Sequence, residues 1–149
     1  MNQKRPHIAR ADPTEICHAL LQRTRLGPFG GDIESWVNAF RLPYKIETFR
    51  GVQILKTVQE LENLYTKLST QVDSQGISAM VRRVIVAEFR TPTLIETTYE
   101  TRLLQGHVLA HCYISRGHIC CFDGDWQITD AQHAFLDEAP HAKVMDKLD

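Results

Sequence analysis

Asp123-Gly124 constrains this chain more than any other pair of residues, because it separates two β-rich runs, 107–122 and 125–135. A two-residue hairpin loop takes a type I′ turn, which needs positive φ at both central positions, and Asp-Gly supplies them. Counting outward from Phe122 opposite Asp125 predicts Cys121 opposite Trp126, Ile119 opposite Ile128 and Gly117 opposite Asp130. Ser115 then falls opposite Gln132, and Tyr113 opposite Ala134. Opposed residues share a sheet face. One face therefore runs from apolar Trp126, Ile128, Ile119 and Cys121 to polar Asp130, Gln132, Ser115, Tyr113 and His111. The other is predicted to carry Arg116, His118, Gln127, Thr129 and His133, with Ile114, Cys112 and Ala110 further on. A carboxylate on the better-buried face singles out Asp130.

The chain before this hairpin divides cleanly. Residues 1–11 are polar and basic and read as a loose arm. Asp12-Pro13-Thr14-Glu15 reads as a helix start, with Asp12 as cap and Pro13 at the first helical position. Ile16, Ala19 and Leu20 continue its stripe to a Gly/Pro breaker at 26–31. A second helix from Asp32 places Ile33, Trp36, Val37 and Phe40 on one face and ends before Pro43. Residues 44–49 and 52–56 read as a short hairpin. Thr57-Val58-Gln59-Glu60 is a capping box, and Val58, Leu61, Leu64, Leu68 and Val72 recur at helical spacing up to Gly76. The period then becomes two, giving strands over 80–90 and 94–105. In the second, Ile95, Thr97, Tyr99, Thr101 and Leu103 make the less charged face. In the first, Arg83 and Glu88 fall on opposite faces, and periodicity does not choose between them. The tail, 136–149, reads either as a short helix or as disordered. Helix, helix, hairpin, helix and then antiparallel strands describe an α+β domain over 12–135: a curved, mostly antiparallel sheet wrapped around three helices from the N-terminal half.

Several function classes are excluded. A net charge of −1 offers no basic field for nucleic acid or an anionic membrane. No apolar run reaches membrane-spanning length, and the N-terminus lacks a signal peptide's apolar centre, so a cytoplasmic location is expected. The four cysteines form no C-x-x-C pair and are expected to be small buried hydrophobes, with no metal and no cofactor implied.

The order of elements, with 32–40 leading into 42–47, the capped helix from Thr57 and the closing Asp123-Gly124-Asp125-Trp126-Gln127-Ile128 turn, resembles the nuclear-transport-factor-2-like superfamily. That is the cone fold of ketosteroid isomerases, scytalone dehydratase and SnoaL-type cyclases. The likeness covers about 12–135 and implies a cone-shaped cavity; fold alone implies little about chemistry. Cyclases and epoxide hydrolases of this fold carry a carboxylate on the last strand, where Asp130 stands. Glu47 and Tyr99 lie near positions used by ketosteroid isomerases, but their surroundings do not match, and no role is transferred.

Two functions of different class follow. In the first, the cone binds a small apolar molecule, with Tyr99, Trp36, Phe40, Ser115, Trp126, Gln132 and His111 as contacts. In the second, a SnoaL-like enzyme of isomerase, cyclase, dehydratase or hydrolase type uses Asp130 as general base and Tyr113 as donor. The plainer reading of Asp130 is a carboxylate satisfied by Tyr113, Gln132 or backbone. An outer sheet face without a covering helix leads to the expectation of a homodimer.

Overall fold

The computed structural model describes residues 11–135 and 139–145. The expected arm (1–11) thus lies outside the described residues but for residue 11, as does half of the tail (136–149). Helix α1 (Pro13–Arg23) starts where expected, with the Asp12 carboxylate accepting from the Thr14 N–H at 2.9 Å. Its buried stripe is Cys17, Leu20 and Leu21, while Ala19 faces out. A 3-10 turn (Gly27–Phe29) leads to α2 (Ile33–Asn38), capped by Asp32. Phe40 has already left the helix and opens β1 (Phe40–Thr48), which pairs antiparallel with β2 (Gly51–Leu55). Helix α3 (Val58–Ser74) has the full capping box of Thr57 and Glu60 and buries Leu61, Leu64, Tyr65, Leu68 and Val72.

Strands β3 (Ala79–Thr91), β4 (Leu94–Gln105), β5 (Val108–Phe122) and β6 (Asp125–His133) form a meander. Asp123 and Gly124 have φ of 52° and 83°, the positive pair that a type I′ turn requires. The sheet order is β2-β1-β6-β5-β4-β3, and β1 runs parallel to β6, so the sheet is mixed. The helices fill its concave side, where Leu20, Leu26, Trp36, Leu61, Leu68, Ile95 and Leu103 form the core. Helix α4 (Pro140–Met145) lies in the stretch read as either helix or disordered; it adds buried Val144 to that core, and Ala139 just before it is buried too.

The closing hairpin departs from its predicted register at one point. Cys121↔Trp126 and Ile119↔Ile128 pair as expected, but a β-bulge at Thr129 brings His118 opposite Asp130, Gly117 opposite Ala131, Arg116 opposite Gln132 and Ser115 opposite His133. An extra residue in one strand reverses every side chain beyond it. Ala131 and His133 therefore point to the helices, whereas Asp130 and Gln132 lie on the outer face. The expectation that Trp126, Ile128, Asp130 and Gln132 all face inward holds for the first two only.

Candidate functional site

Inside the cone, α1, α2 and α3 stand over the sheet and leave a cavity of about 60 Å³. Its walls include Leu26, Trp36, Ile46, Leu64, Leu68 and Phe135, and its polar lining is Thr24, Arg82, Tyr44, Tyr99, Thr101, Tyr113 and His133. At roughly 15 Å³ for each water it accommodates about four. No carboxylate lines it among the described residues.

The polar groups are held in separate small sets. Tyr99 stands opposite Ser115 across β4 and β5, and Ser115 Oγ lies 2.6 Å from His133 Nδ1. Tyr113 stands opposite Thr101 across β4 and β5 and sets its ring edge-on to Phe135 at 5.2 Å. Burial pushes the Tyr44, Tyr99 and Tyr113 hydroxyls above the usual phenol range, so all three stay protonated donors. Burial first, and the Arg82 cation second, hold His133 down at about 4, so its imidazole is neutral at pH 7. Arg82 donates from Nη1 to Thr24 Oγ1 (3.1 Å) and from Nη2 to the Leu21 and Thr24 carbonyls, holding the C-terminal end of α1. Burial lowers its pKa.

The expected contacts separate into three groups. Tyr99, Tyr113 and Trp36 line the cavity, and Ser115 sits just behind it. Phe40 is buried against Trp36 and Tyr44, both at 4.5 Å, one layer back. Trp126 packs on Phe89 near the hairpin turn, and His111 Nε2 meets Gln75 Oε1 at 3.2 Å, both away from the cavity. On the outer face, Gln132 donates to Glu47 Oε1 at 3.0 Å, and Asp130 Oδ1 lies 2.9 Å from His118 Nδ1. Asp130 also accepts from Thr129 Oγ1 and lines an outer cleft of about 210 Å³ with Lys45, Glu96, Arg116 and His118. Asp130 and Tyr113 thus stand on opposite sides of the sheet and do not form one acid–base pair.

Arg82, His133 and Tyr44 were not anticipated. Residues 81–84 alternate Val-Arg-Arg-Val, so a cation occurs at either parity; the structure turns Arg82 inward and Arg83 outward, with Glu88 also outside. A signal for the bulge did exist. Aligning Gly117 with Ala131 pairs the two smallest residues and places Arg116 and His118 beside Gln132 and Asp130, a better charge match than the even count gives. Of the cysteines, Cys17 is buried, Cys120 and Cys121 are half-buried and Cys112 is exposed, contrary to expectation. Among the described residues no cluster of His, Cys, Asp and Glu could hold a metal ion, and no helix is long and apolar enough to cross a membrane.

No protein-family model and no curated protein sequence matches the chain. Solved structures do match. An NTF-2-like protein of unknown function from Shewanella oneidensis MR-1 aligns at TM-score 0.65 and 14% identity, over 83% of this chain and 99% of that one. A ketosteroid isomerase-like protein from Erwinia carotovora atroseptica aligns at 0.60 and 11%, over 83% and 93%. A hexachlorocyclohexane dehydrochlorinase, LinA type 2, aligns at 0.59 and 10%, over 81% and 83%. At these identities the likeness establishes the architecture: the chain has the NTF2-like, cystatin-like cone fold.

Proposed function

We propose that this NTF2-like cone binds a small, largely apolar molecule in its interior cavity. The observation that carries the reading is the convergence of Arg82, Tyr99, Tyr113 and His133 on one apolar-walled space. A few directed polar groups in an apolar enclosure are the usual form of a small-molecule site. The ligand is small, or Met80 and the Phe135 wall shift to admit it. Trp36 reports on the cavity while Trp126 lies outside it, so Trp126→Phe leaves a single indole reporter. Titrating that variant with phenol should give a saturable fluorescence change that a further Leu68→Phe, by filling the cavity, abolishes. A linear response with no difference between the two proteins would refute the reading.

A second reading keeps Asp130 as a general base, supported by its 2.9 Å contact with His118 in the outer cleft. It places chemistry outside the cone, with His118 in place of Tyr113 as the partner group, and Asp130→Asn separates it from cavity binding. We also infer a homodimer through the outer sheet face. Val81, Val86 and Ile114 are each at least 39% exposed there, among Arg83, Glu100 and Arg102.

A further inference from the structure

The cavity has a larger neighbour. Between α1, the 3-10 turn and the start of β3 lies a cleft of about 450 Å³, within the size range of small-molecule sites. Met80 and Arg82 line both spaces, so a single layer of side chains separates them. The cleft holds two guanidiniums, Arg25 and Arg82, with Ser78 and His18, and apolar Phe29 and Pro28 beside them. Among the described residues no carboxylate lines it, and none lies within 4 Å of either arginine. A partly buried cation such as Arg82 is ordinarily paired. Here a second cation, Arg25, lines the same cleft instead of a carboxylate.

We propose that this cleft is an oxyanion site: the carboxylate or phosphate of a small molecule sits between Arg25 and Arg82, with the molecule's apolar body directed past Met80 toward the cavity. The placement of the body rests on the cavity reading; that of the anion does not. Three hydrogen bonds hold Arg82 to Leu21 and Thr24, leaving two of its five N–H groups for the ligand. Arg25 is exposed at the mouth and supplies the second charge. Met80 is unbranched and adapts its shape easily, which suits the dividing wall.

The test titrates the full chain with benzoate, benzamide and inorganic phosphate at constant ionic strength, following the arginine Nε–H NMR signals. Benzoate is expected to shift Arg82 and Arg25 saturably, with benzamide far weaker. Arg25→Gln, exposed and outside the core, should weaken benzoate about fivefold, the size of one surface charge contact. Arg82→Lys, checked for folding by circular dichroism, should weaken it at least as much, because it loses the planar fork. Phosphate binding with the same Arg25 dependence, but no benzoate or phenol binding, would uphold the oxyanion site while removing the cavity reading. Benzamide binding as tightly as benzoate, unaffected by Arg25→Gln, would keep the cavity and overturn the oxyanion site. No saturable shift with either anion would also overturn it.

Discussion

Gly117 and Ala131 face each other across β5 and β6 so closely that a methyl group on Gly117 would come within 2.5 Å of the Asp130 carbonyl oxygen. This approach sits beside the bulge at Thr129 and locks the register that turns His133 inward.

Gly117→Ala is therefore expected to force backbone apart. Overpacking of this kind costs about 1–3 kcal/mol. Urea unfolding should show a lower midpoint with an unchanged slope; unchanged stability would mean the strands separate freely and the register is not locked here.

His133 predicts how stability depends on pH. Its folded pKa of about 4 lies below the ordinary 6.5, so the unfolded chain takes up a proton that the native one refuses. That stability is complete above pH 6.5 and is lost as pH falls toward 4, by up to about 3 kcal/mol. His133→Gln keeps hydrogen-bonding capacity without titrating, and should flatten the stability curve over this window. Identical curves for both proteins would place His133 in water.

Arg82 fastens β3 to the last turn of α1 by three hydrogen bonds. Arg82→Met leaves the Leu21 and Thr24 carbonyls without their charged donor, at a cost of about 1.5–3 kcal/mol. Hydrogen exchange should quicken in the last turn of α1 more than in α3. Uniform loss of protection would show that the anchor is not local.

Asp130→Asn is expected to cost less than about 1 kcal/mol, because its contact with His118 is partly exposed. Phenol binding in the cavity should be unchanged, since the carboxylate lies across the sheet. A tenfold loss of phenol affinity would put Asp130 back at the interior site.

Ile114→Glu sets a charge among the exposed apolar residues of the outer face. Sedimentation should show the native chain at twice its 17.1 kDa mass and the variant near 17 kDa. A native monomer at micromolar concentration would dismiss the homodimer.

Much of the architecture was legible in the residues. The Asp123-Gly124 turn, the Thr57–Glu60 box and the inward row Ile95, Thr97, Tyr99, Thr101, Leu103 all appear as read. Trp36, Tyr99 and Tyr113 line the cavity, and Ser115 sits just behind it. Asp130 and Gln132 were misplaced by one inserted residue, and with them the proposed acid–base pair.

The difference is one of range. Turn chemistry, capping and strand period are settled within a few neighbouring residues, by φ preference, by a side chain reaching the first N–H groups and by alternation across a pleat. The sequence alone therefore determined the elements and their order. The bulge depends on how β6 fits between β1 and β5, on Gly117 admitting Ala131, and on outer-face charges finding partners, all set by residues distant along the chain. Arg82 was likewise ambiguous beside Arg83 until packing against α1 chose between them. Only the tertiary structure decided which polar groups share the cavity.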